Sequence, residues 1–210
     1  NHNLRITKVF KSMAKQSQSL RLIINASQFT VFGKAKRSFI ALQDHFVTQG
    51  RQKKSQSDYE SERLTDLLSH FEPEEIKSWN GKKILDFGCG FGGKTVQLAK
   101  MLPTSLMLGI EPHSHKIEAA REFARRVNIS NCNFKLCTQE KIPLGSETVD
   151  VVISHDVIEH VHYPESTLEE LQRVLKPNGN AFLVFPPYEG AIAHHLDFIT
   201  LVPGLHWIWS

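Results

Sequence analysis

From residue 82 onward the chain alternates short β-rich runs with amphipathic helical stretches. This alternation constrains the fold more than any other feature of the sequence. Lys83-Ile84-Leu85-Asp86-Phe87 is the first run and ends in glycines. Positions 94–102 read as a helix closed by Pro103, 106–110 as a second strand, 116–127 as an amphipathic helix and 133–137 as a third strand. Residues 149–154 form a fourth run, 164–175 a helix with Pro164 suited to its first turn, and 181–185 a fifth strand. Lys176-Pro177-Asn178-Gly179 has the chemistry of a turn. Strands separated by helices build β-α-β units and a parallel sheet, whose ligands bind at the carboxyl ends of the strands. The expected fold class is therefore α/β: a three-layer, doubly wound, mostly parallel sheet.

The front of the chain reads differently. Residues 1–54 carry 11 Lys/Arg and one acid, Asp44, a balance of +10; residues 55–210 carry 14 Lys/Arg and 21 Asp/Glu, a balance of −7. The net charge of +3 conceals this division. Apolar positions at 6, 9, 10 and 13, and Ala35, Phe39, Leu42 and Phe46 further on, have helical spacing. Residues 50–57 read as a polar linker. Ser57 and Glu60 have the spacing of a capping box, followed by an apolar helix face of Leu64, Leu67, Leu68 and Phe71, with Pro73 beyond its end. The expected organisation is a basic, helical extension over 1–56 and a ligand-binding domain over 57–210. A basic extension suits an anionic partner such as RNA, a phosphorylated substrate or a membrane surface, or is simply a solvated face. No aromatic-basic RNA motif accompanies it.

Other functional classes fall away on composition. With 40% hydrophobic residues the chain can bury a substantial core. Its three cysteines, Cys89, Cys132 and Cys137, imply no disulfide framework and point to a reducing, cytoplasmic setting. No apolar run reaches the ~18 residues of a membrane span, and no secretory apolar region follows the first residues.

The loop Asp86-Phe87-Gly88-Cys89-Gly90-Phe91-Gly92-Gly93 ends the first strand and opens a helix. Gly88-x-Gly90-x-x-Gly93 satisfies the dinucleotide fingerprint, and Glu111 stands where a ribose-binding acid belongs, so an NAD(P) oxidoreductase stays open. Asp86 counts against it, because a carboxylate two residues before the first glycine repels a pyrophosphate. S-adenosylmethionine, with a sulfonium, an ammonium and no phosphate, suits such a site better.

Four ordered motifs then carry a resemblance. The stretch from Ile84 to Gly92 resembles motif I of the class I S-adenosylmethionine-dependent methyltransferases. Gly109-Ile110-Glu111-Pro112 resembles the acidic end of their second strand, the run from Val149 to Glu159-His160-Val161 their fourth-strand signature, and Arg173-Val174-Leu175-Lys176-Pro177-Asn178-Gly179 the turn before their fifth strand. The match spans about residues 79–187 and is closest to the quinone-biosynthesis and small-molecule branch. The resemblance implies S-adenosylmethionine as cofactor and a small-molecule acceptor methylated on oxygen or carbon. RNA or protein methylation and non-catalytic cofactor binding are the alternatives.

By the same resemblance, Asp86 organises the loop and reaches the methionine ammonium, directly or through water. Gly88, Cys89, Gly90 and Gly92 form the loop under the methionine, and Glu111 beside Pro112 takes the ribose hydroxyls. Thr138 replaces the usual adenine-contacting acid, Gln139 offers its backbone N–H to the ring, and Ser154 and His155 lie near the methyl group. Tyr188, His194 and His195 stand where relatives face the acceptor; His195 and then His155 are the candidate bases. No metal-ligand motif is present, and no metal is expected. Relatives complete the sheet with two more strands, whereas this sequence ends in an apolar, Trp-rich stretch. A domain lacking its last strands, with an oligomer contact through that stretch, is the expectation.

Overall fold

The computed structural model describes residues 19–24, 55–138 and 141–185. Strand β1 (Ser19–Ile24) comes first, followed by helices α1 (Gln56–Glu62), α2 (Leu64–Leu68) and α3 (Pro73–Lys77). Then come β2 (Lys83–Phe87), α4 (Gly93–Met101), β3 (Leu106–Glu111), α5 (Ser114–Arg126) and β4 (Cys132–Leu136). Strand β5 (Val149–His155), a 3₁₀ turn (Ile158–His160), α6 (Pro164–Val174) and β6 (Leu175–Phe185) complete the order. The strands lie in the order β1-β6-β5-β2-β3-β4, and every neighbouring pair is parallel.

Alternation within the strands explains the layering, because successive side chains leave a strand on opposite faces. Ile84, Met107, Val151, Ile153, Phe182 and Val184 share one face, covered by Leu98 and Ala99 of α4 and by Leu64, Leu67, Phe71 and Trp79 from the α1–α3 region. Leu85, Leu108, Ile110, Val152, Ala181 and Leu183 share the other, covered by Leu168, Leu171 and Val174 of α6. Helix α5 packs Ile117, Ala120 and Phe123 around Phe134 of β4. Both faces of the sheet are thus buried, as a parallel sheet requires. At the amino ends, the Asp150 carboxylate accepts from the Lys83 N–H at 2.9 Å and from Lys176 Nζ at 2.7 Å, stitching β5 to its two neighbours. No helix among the described residues is long and apolar enough to cross a membrane.

The strand order reverses direction between β2 and β5. The crevice for a ligand opens at their carboxyl ends, between the glycine loop and the segment that starts at His155.

Two expectations change here. The basic extension is not helical at Ser19–Ile24, which pairs with β6 from Ser19↔Asn180 to Ile24↔Phe185. That strand satisfies a row of backbone groups that β6 otherwise leaves open at an edge. The other helices expected within 1–54, and any strand after residue 185, fall outside the described residues. The second change concerns the turn at 176–179, which is absorbed into β6. Asn178 adopts φ 65°, and the ladder with β5 shifts register between Val149 and Val151. The turn chemistry therefore makes a bulge rather than a break.

Trp79 is fully buried, edge-on to Phe71 at 4.9 Å and 5.5 Å from Phe182. Trp79→Ala should lower stability by about 3–5 kcal/mol. Urea unfolding checks this: the midpoint should fall with the slope unchanged.

Candidate cofactor and acceptor site

The glycine loop is built by accounting for its backbone donors. The N–H groups of Gly88 and Cys89 both donate to the Ile110 carbonyl, at 2.9 and 3.0 Å, which ties the loop to the end of β3. The Gly90 N–H donates to Glu111 Oε2 at 3.3 Å, and the Gly92 N–H to the Cys89 carbonyl at 3.0 Å. The remaining two, on Phe91 and Gly93, donate to the two carboxylate oxygens of Glu60, each at 3.0 Å. Every N–H from Gly88 to Gly93 therefore has an acceptor within the chain.

Glu60 comes from α1, which lies against the loop. Ser57 Oγ donates to the Phe91 carbonyl at 2.7 Å, and Ser61 Oγ reaches the Gly93 carbonyl at 3.3 Å. Gly90 has φ +56°, and a Cβ there would stand 2.6 Å from Glu60 Oε1. A Cβ on Gly93 would collide with the Ser57 carbonyl and lie 2.5 Å from Glu60 Cβ. Only glycine lets α1 dock this closely.

The capping-box reading of Ser57 and Glu60 is corrected. Ser55 is the N-cap of α1, its Oγ accepting from the Asp58 N–H. The Ser57 and Glu60 side chains serve the glycine loop more than thirty residues away. Burial raises the Glu60 carboxyl above its ordinary value, against the lowering effect of its two N–H partners.

Between the loop, α1 and the ends of β3 and β5 lies a cavity of about 500 Å³, within the usual range for ligand pockets. Of the residues singled out from sequence, Gly88, Cys89, Gly90, Glu111, Pro112 and His155 line it. Asp86 does not. It lies beneath the loop, 6% exposed, with its carboxylate accepting from Thr95 Oγ1 at 2.5 Å, so it braces the start of α4. Burial raises the Asp86 carboxyl as well. Gly92 caps α4 behind the wall. Thr138 is exposed and off the cavity, in an isolated bridge with Lys141. Ser154 is wholly buried in β5. Gln139, Tyr188, His194 and His195 lie outside the described residues.

Glu111 is 5% exposed and already busy. One oxygen accepts the Gly90 N–H; the other meets His113 Nδ1 at 2.5 Å and Lys116 Nζ at 3.2 Å. A carboxylate has about four acceptor positions, so gripping two hydroxyls side by side requires His113, which is largely exposed, to swing away.

The two cavity thiols are held toward the protonated form. Burial, together with the carboxylates of Asp86, Glu111 and Glu60, pushes Cys89 far up, and burial with Glu111 raises Cys137 to about 11. No cluster of three potential metal ligands occurs among the described residues.

Sequence reasoning missed Glu60, Arg63, Lys94 and Asp156 on the cavity wall. Lys94 carried a readable signal: a cation in the first turn of a helix, against the dipole, straight after the loop.

The occupied N–H groups of the loop disfavour a phosphate ligand. A loop that cradles phosphate must keep its N–H groups free, whereas here carboxylates hold half of them. A family described as "Methyltransferase domain" matches residues 78–193.

The chain belongs to this methyltransferase family.

S-adenosylmethionine is the cofactor, and the NAD(P) alternative is set aside. Among curated relatives, an uncharacterized methyltransferase of Schizosaccharomyces pombe is 38% identical over 103 residues, covering 46% of this chain and 37% of that protein. The mitochondrial ubiquinone biosynthesis O-methyltransferase of Mus musculus is 32% identical over 110 residues, covering 51% of this chain and 29% of that protein. A solved protein from Pyrococcus horikoshii is 29% identical with a TM-score of 0.51, covering 63% of this chain and 60% of that one. The chain thus spans well under half the length of these two curated relatives.

An acid whose pKa is raised on folding holds its proton more tightly in the folded state. Its contribution to stability therefore declines as pH rises from the ordinary glutamate value of 4.5 through the raised one. Glu60→Gln removes that dependence. Measured by unfolding at several pH values, the wild-type methyltransferase should lose stability relative to the variant across this window; parallel pH profiles would refute the assignment.

Proposed function

We propose that this chain binds S-adenosylmethionine in the cavity and methylates a small-molecule acceptor on oxygen or carbon. The observation that carries the reading is the carboxylate-saturated loop. Glu60 and Glu111 take its N–H groups and Asp86 lies beneath, which favours a cationic ligand over a phosphate. When bound, the cofactor supplies a methyl group on a positive sulfur that departs as a neutral thioether.

The chain's own residues would hold and orient. Glu111 would accept from the ribose hydroxyls, with Pro112 and Cys137 offering apolar surface to the base beside it. Gly88, Cys89 and Gly90 bring the loop backbone close to the methionine portion. Gln139 remains in the cofactor set of this proposal, while Thr138, off the cavity, and Ser154, buried beneath it, drop out; Tyr188, His194 and His195 form the acceptor side. Much of the rate can come from aligning the two reactants. A hydroxyl acceptor must also lose a proton, and His155 and His195 are the proposed bases. The volume of about 500 Å³, with α1 along one wall, supports an acceptor of small size.

The +10 balance of residues 1–54 favours a second reading, in which RNA or an acidic protein is the acceptor. RNA binding that weakens steeply with salt and disappears without residues 1–54 would support it.

Calorimetry with S-adenosylmethionine and S-adenosylhomocysteine tests the main proposal. Both should bind, and Glu111→Ala should weaken each by at least ~1 kcal/mol, on the scale of hydrogen bonds to charged groups. Absence of binding, together with binding of NAD(P), would sink it. A screen of hydroxylated aromatics, quinone precursors, sugars and small acids for S-adenosylhomocysteine release should identify the acceptor.

A further inference from the structure

Lys94 stands in the first turn of α4, where the helix dipole disfavours a positive charge. Its Nζ lies 2.9 Å from Nδ1 of His155, while the carboxylates of Glu60 and Asp86 attract it through the electrostatic field. A half-buried ammonium hydrogen-bonded to a neutral imidazole keeps further donors to offer an anion. An ammonium has three donors and no acceptor, so His155 Nδ1 is the accepting nitrogen and the ring hydrogen sits on Nε2. In this arrangement His155 presents no lone pair to the cavity.

The order of strands says which anion. Glu111 ends β3 and His155 ends β5, with β2 between them, so roughly 10 Å of cavity separates the two at ordinary strand spacing. S-adenosylmethionine carries a diol at one end and a zwitterionic amino acid at the other. The diol belongs with Glu111, beside the apolar surface of Pro112 and Cys137. The amino acid is then directed to the β5 side, where the wall carries a cation and an anion together: Lys94 and Asp156, whose Oδ2 is 3.7 Å from His155 Nδ1.

We propose that Lys94 takes the carboxylate of the methionine end and, in turning to it, releases Nδ1 of His155. The inference rests on the cofactor placement proposed above. Its consequence is ordered chemistry. With Lys94 turned away, Nδ1 can receive the proton of an acceptor hydroxyl: the O–H bond breaks, the N–H bond forms, and the imidazolium lies beside Asp156. His70 also faces the ring, its centroid 6.2 Å away. His155 is thus a base only once the carboxylate is seated. Lys94 is a positioning residue, acting on the proton transfer through His155.

The test uses the full chain and two probes. S-adenosylhomocysteine carries the amino-acid end; 5′-methylthioadenosine keeps the adenosine and thioether and lacks it. By calorimetry, the wild type should bind the first at least about tenfold more tightly. Lys94→Met should lose about tenfold for the first and nothing for the second, and Lys94→Arg should restore most of the loss. Equal loss on both probes, or on neither, overturns the proposal. A wild type that binds neither probe overturns the cofactor placement itself, and the proposal with it. A second measurement needs no variant. The ¹⁵N resonance of His155 Nδ1 should move on adding S-adenosylhomocysteine and stay in place on adding 5′-methylthioadenosine; the same response to both overturns the proposal.

Discussion

The carboxylate of Glu60, shared between the N–H groups of Phe91 and Gly93, is the contact on which the site depends. It fixes the loop's second half, docks α1 over it and forms part of the cavity wall. It also explains the glycines at 90 and 93, whose missing Cβ atoms leave the room that Glu60 and the backbone of α1 occupy. A neutral side chain of the same shape could fill the volume but could not accept from both donors. The cavity wall therefore begins in the helix before the sheet, not at the first strand.

That contact also sets the charge of the site. Three carboxylates, Asp86, Glu60 and Glu111, surround one short loop, two of them raised by burial. Such a cluster costs energy unless hydrogen bonds answer it, and here Thr95, the loop N–H groups, His113 and Lys116 do so. Burial, and after it the same field, raises the neighbouring thiols. A backbone shape shared with phosphate-binding loops thus carries an acidic surround and N–H groups already taken by carboxylates and carbonyls.

The sheet was largely legible because its signals are local: alternating apolar runs, a glycine loop and proline helix starts. Strand β2 lies at 83–87 as read, and the other strand and helix limits within 82–185 moved by a residue or two, apart from the early start of β6. What was not legible depends on contacts distant in sequence. Ser57 and Glu60 fit a capping box because their spacing fits the first turn of a helix, while their partners lie in the glycine loop, more than thirty residues further along the chain. Asp86 fits a ligand contact by position, yet Thr95, in the first turn of α4, claims it. Strand β1 is short, and its place in the sheet depends on β6, so periodicity in that stretch could not reveal it.

That last pairing carries a consequence for how the chain assembles. Strand β1 is the first described element and β6 the last, so the contact closes a loop containing nearly everything else. Joining ends so far apart is entropically unfavourable until the intervening segment has compacted. The sheet from β2 to β5 can form from neighbouring segments, but β1 has no edge to join until β6 is laid down against β5. During synthesis from the N-terminus, β1 emerges early and must wait for a partner made much later. It is the strand most open to wrong pairing in the meantime, and the arginine at its centre, Arg21, is the kind of residue that discourages such pairing.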